Sequence, residues 1–171
     1  MLAPWHEFYA LLGTAASALV ALLFVAVSIG IGFISSERQG PTRTFTSPVL
    51  AHYTYILFVS LLALAPLDND GLLAIILGIS AGAAFLYSAV ICVKVLRSAV
   101  SDHDDRFAYG VGPPAAYGAV VAAAYMIGTR APAGPALLAA ALIVLLLVNI
   151  RNAWDLTVFF VQRRTDGKGP D

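Results

Sequence analysis

The chain is short of charge and of thiols. Its 171 residues include one cysteine, ten basic and ten acidic residues. The single thiol, Cys92, excludes an internal disulfide and a cysteine-built zinc site. Charged residues make up 12% of the chain, roughly half the share in a water-soluble domain. So few polar side chains do not cover a water-facing surface, which excludes an ordinary soluble enzyme. A hydrophobic content of 60% excludes a disordered tail, and a formal net charge of zero excludes a basic nucleic-acid binder. HExxH and P-loop patterns are missing. Cys92 sits in an apolar run with only Lys94 nearby, a poor setting for a nucleophile. A non-enzymatic protein without metal or cofactor is therefore expected.

What the chain does contain is apolar length, with a mean hydropathy of +0.84. Five apolar stretches stand out, at about 8–34, 48–65, 72–96, 114–128 and 135–161. A bilayer core about 30 Å thick takes roughly 20 helical residues to cross. Run length and the lack of alternation favour helix over strand. Punctuation agrees: Ser47-Pro48 reads as an N-cap with proline in the first turn, and Pro66, Asp68, Asn69, Asp70 and Gly71 form a turn. Pro113-Pro114 opens the fourth stretch, and Pro132, Gly134 and Pro135 part it from the fifth. The expected fold is all-α, one polytopic transmembrane bundle over residues 1–171 with five spans.

Charge sets the orientation. With five crossings, Arg38, Arg43, Lys94, Arg97, Arg106, Arg163, Arg164 and Lys168 fall on one side and Arg130 on the other. The positive-inside rule then puts the N-terminus outside and the C-terminus in the cytoplasm. This topology places His6 outside and His52 and His103 inside, which disfavours a haem held by two histidines across the membrane.

The strongest polar signal lies within the fifth stretch. Arg151 and Asp155 are one turn apart, and Asn149, Asn152 and Asp155 recur at spacing three. An unpaired charge toward lipid costs about 2.5–3.5 kcal/mol at the bilayer centre. At 1.5 Å per residue these groups fall in the cytoplasmic third, as do Ser28, His52, Lys94 and Tyr117. One reading is a polar site or ion-conducting constriction of His52, Asn149, Arg151, Asn152 and Asp155. The other is structural: Arg151 snorkels to the headgroups beside Asp155, and the asparagines bond between helices. Trp5, Tyr9 and Trp154 read as interface anchors. Gly78 and Gly82 form a GxxxG, and Gly13, Ser17 and Ala21 a small-residue stripe, as do Ala115, Ala119 and Ala123. Such patterns mark close helix packing, inside one chain or between chains. His6, Glu7, Asp68 and Asp70, or Asp102, His103, Asp104 and Asp105, offer metal-ligand types, but polar loop ends explain both groups better.

Trp5-His6-Glu7-Phe8-Tyr9, Leu12-Gly13-Thr14-Ala15-Ala16 and Leu23 to Ser28 open the chain; Ser47-Pro48 with His52 opens the second span. Together with Asn152-Ala153-Trp154-Asp155, they resemble a group of small bacterial inner-membrane proteins. The resemblance implies a multi-pass protein of a bacterial inner membrane and carries over no catalytic or binding residue. The expected role is an accessory, assembly or regulatory subunit of a membrane complex, in contact with the lipid bilayer and as a homo-oligomer or part of a larger assembly. The alternative is a small homo-oligomeric channel or transporter for protons or ions.

Overall fold

A computed structural model describes residues 2–31, 39–67, 69–97 and 110–166. The described residues form helices and no strand. A 3-10 turn at Ala3–Trp5 leads into α1 (His6–Ile31), followed by α2 (Gln39–Leu64), α3 (Asp70–Arg97), α4 (Gly112–Gly128) and α5 (Gly134–Asp166). Three stretches, Ala3–Ser28, Asp70–Val93 and Gly134–Asp155, are long and apolar enough to cross a membrane, while Pro48–Leu64 is a shorter apolar helix. α4 is also short, at 17 residues.

Pro48 does not begin a helix. α2 starts at Gln39 and carries Pro48 inside it. Proline removes one backbone hydrogen bond and crowds the preceding turn. Helices packed in a bundle tolerate this, because neighbouring groups can re-satisfy the backbone. The other helix starts follow local chemistry. Asn69 Oδ1 accepts from Gly71 N (2.9 Å) and Leu72 N (3.2 Å), capping α3. α4 ends in a Schellman turn: Ala131 N donates to Met126 O (2.8 Å) and Arg130 N to Ile127 O (3.0 Å). That turn holds Arg130 at φ 59°, a conformation usually left to glycine.

Side-chain contacts fix how the helices run. A Cβ on Gly128 would sit 3.2 Å from Ala74 Cβ, one on Gly78 3.9 Å from Ala124, and one on Gly118 3.8 Å from Phe85. As α4 numbers fall, α3 numbers rise, so the pair is antiparallel. Gly13 near the start of α1 meets Ser60 near the end of α2, so α1 runs against α2. The short turns joining α2 to α3 and α4 to α5, with α3 antiparallel to α4, set α2 against α5. One end of the bundle therefore holds the start of α1 and the α2–α3 and α4–α5 turns. Arg130 Nε and Asp70 Oδ2 lie 3.9 Å apart there. The other end holds the last turns of α1, α3 and α5 and the first turns of α2 and α4.

The closest pairings are α3 with α4, α1 with α2 and α4 with α5, and α2 also lies on α5. α5 is central. Its inward seam is Leu138, Leu142, Leu145, Asn149 and Asn152, all buried, at alternating spacings of four and three. Tyr9, Ala16, Tyr53, Ile56, Val120 and Ile127 are among the fully buried residues around it. Large apolar side chains such as Leu11, Leu22, Ile79, Leu86 and Leu147 point outward and exposed, as a lipid-facing surface requires.

Of the expected packing glycines, Gly13 makes the tightest contact between helices. A Cβ there would lie 3.1 Å from Ser60 Cβ. Gly13→Leu is expected to destabilise the protein by about 1–3 kcal/mol through overpacking of α1 against α2, measured as a lower melting temperature in detergent. Ser17, one turn from Gly13 on the same stripe, is exposed, and among the described residues no atom lies within 4 Å of where a Cβ on Gly82 would be. Ala115 is likewise exposed, and only Ala123 of its stripe is fully buried.

Candidate functional site

The five polar residues expected to form one cluster are divided by the rotation of α5. His52 (3% exposed), Asn149 (0%) and Asn152 (2%) are buried. The side chains of Arg151 and Asp155 are 54% and 35% exposed. At 100° per residue, an inward-facing Asn149 and Asn152 turn Arg151 to the outside of the bundle. A single constriction lined by all five is therefore not the arrangement within the chain.

The buried part is a hydrogen-bonded layer that ties three helices together. His52 Nδ1 on α2 and Tyr117 Oη on α4 are 2.8 Å apart. Tyr117 donates when the ring carries its proton on Nε2, and Nδ1 donates in the other tautomer. Asn149 Nδ2 on α5 donates to the Val49 carbonyl on α2 at 2.9 Å. Tyr55 lies edge-on against Tyr117, ring centres 4.9 Å apart, and closes the layer toward α3. Asn149 Oδ1 and Tyr53 Oη, both buried, have no hydrogen-bond partner among the described residues. Such an orphan costs about 1–3 kcal/mol, against about 0.5–1.5 for a bond made. The layer therefore aligns helices more than it stabilises them.

Among the described residues, the layer gives way across the bundle to buried apolar side chains. The antiparallel register that pairs Val49 with Asn149 pairs Ile56 with Leu142. Ile56, Val120, Leu142 and Leu145 are all at 0% exposure and form an apolar block. Beyond it lie Ser60 and Tyr9, whose buried hydroxyls also lack hydrogen-bond partners among the described residues. A groove lined by Leu50, Ala51, Thr54, Tyr55 and Phe58 runs along α2, and neither His52 nor the α5 polar residues line it.

The other part is the Arg151–Asp155 pair, Nε to Oδ2 at 3.9 Å, with the arginine side chain 54% exposed, the aspartate 35% exposed and its Oδ2 buried. Trp154, next along the helix, is 68% exposed. The separation is long for a charge-assisted hydrogen bond, so the two groups are neighbours and not a tight bridge. Ser28 is exposed and bonds back to Phe24 O at 2.7 Å, apart from both groups.

The expected anchors behave differently from one another. Trp154 is exposed and Trp5 half-buried, but Tyr9 is fully buried in the core. Tyr9 is an inward residue because α1 turns Tyr9, Leu12 and Ala16, one turn apart, onto α2. At the other end His6 and Glu7 are exposed, and Asp70 faces Arg130. Asp68 and the Asp102–Asp105 group lie outside the described residues, as do the side chains of Lys94 and Arg97. Among the described residues, no three His, Cys, Asp or Glu side chains converge.

Depth in the sequence brought Tyr117 to the level of His52 without making it a member of the cluster, and the Val49 carbonyl was missed, because a backbone acceptor has no sequence signal. Tyr117→Phe keeps the ring packing and removes the bond to His52. It is expected to destabilise by about 0.5–1.5 kcal/mol, seen as a modest fall in thermal midpoint with helicity unchanged by circular dichroism. No protein-family model matches this chain, and comparisons with curated proteins and with solved structures also find no match.

Proposed function

We propose that this chain is a five-span protein of a bacterial inner membrane, N-terminus outside and C-terminus cytoplasmic, acting without catalysis as an accessory, assembly or regulatory subunit. The observation that carries the reading is the apolar block of Ile56, Val120, Leu142 and Leu145 beside the polar layer. Buried polar groups that hold helices in place, and stop at a dry layer, suit a packing element better than a conduit. The lipid-facing sides of α1 and α3, each packed chiefly on one neighbour, leave long helix surfaces for a partner. The antiparallel order of the helices and the basic residues near one end support the five-crossing topology. The resemblance of the Asn152-Ala153-Trp154-Asp155 element and the N-terminal span supports the bacterial inner membrane.

A channel or transporter would need its path between copies of the chain. The outward Arg151 and Asp155 are the observation in its favour. Native mass spectrometry after gentle detergent extraction, paired with liposome flux, separates the two. A stoichiometric unrelated partner and no flux above empty liposomes is the expected result. A homo-oligomer whose proton or ion flux falls on Asp155→Asn would overturn it. Cysteine-accessibility mapping in a Cys92→Ala background tests the topology independently.

A further inference from the structure

We infer that the outer face of α5 around Arg151 and Trp154 seats the phosphate of an anionic phospholipid. The inference rests on the membrane-spanning reading above and names a ligand for one face of it. Side chains on a helix lean toward its N-terminus, which for α5 means toward the bilayer interior. The Nε of Arg151 lies 3.9 Å from Oδ2 of Asp155, one turn toward the C-terminus. Gly134 to Arg151 spans ~25 Å at 1.5 Å per residue, which sets Arg151 near the inner edge of a hydrocarbon core of about 30 Å, and its long side chain covers the remaining distance to headgroup depth.

The neighbouring surface matches a phospholipid from tail to head. Leu147 is 60% exposed and Ile150 41%, one turn deeper on the same face. Trp154 is 68% exposed at the level where indoles sit against glycerol and carbonyl groups. The ion pair with Asp155 is loose, at 3.9 Å, and among the described residues the guanidinium makes no hydrogen bond. A guanidinium so placed is able to pair with a phosphate. Backbone placement adds more positive charge at this end: Arg43 on α2, Lys94 and Arg97 on α3, and Arg163 and Arg164 on α5. Each basic residue near an anionic leaflet favours such lipids. A second copy of the chain is a poor occupant. Copies sharing one orientation in a membrane bring parallel α5 helices together, which sets Arg151 against Arg151 at equal depth.

The test is native mass spectrometry of the full-length protein in detergent with equal amounts of phosphatidylglycerol and phosphatidylcholine of identical acyl chains. The wild type is expected to retain phosphatidylglycerol several-fold over phosphatidylcholine. Arg151→Gln should abolish that preference, while Lys94→Gln with Arg97→Gln should leave most of it. Asp155→Asn, which releases Nε, should increase it and serves as the second readout if Arg151→Gln does not fold. Equal retention of both lipids by the wild type, or a preference that survives Arg151→Gln, overturns the inference. Free inorganic phosphate competing as well as the lipid would also overturn it. Lipid preference is read whatever the number of crossings, so its failure is distinct from failure of the topology.

Discussion

Asn149→Leu is expected to leave the thermal midpoint in detergent unchanged or raised, whereas Asn149→Asp is expected to unfold or strongly destabilise the protein. The asymmetry follows from where the amide sits. Its nitrogen donates to the Val49 carbonyl at 2.9 Å, but its oxygen is buried with no partner among the described residues. One made bond contributes about 1 kcal/mol, and one orphan acceptor costs as much or more. Leucine has a similar volume, continues the Leu138, Leu142, Leu145 seam, and ends the orphan's cost. Its loss is alignment: a lone asparagine in an apolar seam fixes register, and an all-leucine seam tolerates sliding. The aspartate variant would instead set a carboxylate against a carbonyl in a dry interior. That carboxylate must keep its charge there or take up a proton, at a cost on the order of 3–5 kcal/mol. Thermal melting of the two variants, with hydrogen exchange over α2, provides the measurement. A leucine variant that melts far below wild type would make the amide a net stabiliser and refute the alignment role.

Gly134→Ala is expected to be the most damaging glycine-to-alanine change among the described helix glycines, on the order of 3 kcal/mol. A Cβ there would lie 3.0 Å from both Ile127 N and Ile127 Cγ1, and 3.2 Å from Met126 C. Two of those are backbone atoms of α4's final turn, where Met126 and Ile127 also accept the hydrogen bonds that close the helix. They have no side-chain freedom with which to yield. Gly82→Leu provides the contrast. No atom lies within 4 Å of its Cβ position, so the isolated chain should fold with an unchanged midpoint. Loss of a larger assembly in Gly82→Leu, with monomer stability intact, would mark that side of α3 as a contact with another molecule. Melting curves and size-exclusion profiles of both variants decide the matter, and an unaffected Gly134→Ala would mean that the α4–α5 turn is looser than its contacts require.

Helix positions were legible from run length and punctuation, because a membrane-length apolar run has few alternatives to helix and the turn at Asn69–Gly71 has its capping chemistry written into it. Pro48 was misleading for a physical reason. Proline is common in the first turn of a helix, but its interior penalty is offset when neighbouring helices supply replacement contacts. The GxxxG at Gly78–Gly82 was only half informative. Spacing four puts both glycines on one stripe, yet the crossing angle brings only Gly78 near α4.

The sequence by itself determined that the chain is helical, that its apolar lengths suit a bilayer, and that its charges gather toward the helix ends. Those properties belong to composition along one dimension. Only the tertiary structure decided which face of each helix is inside. In a soluble helix the polar side announces the surface, but a helix that is apolar all round carries no such signal. α5 was free, on sequence grounds, to present Arg151 and Asp155 or Asn149 and Asn152 to its neighbours. Packing against α2 and α4 selected the asparagines, since uncharged amides lose far less on leaving water than an arginine and an aspartate do.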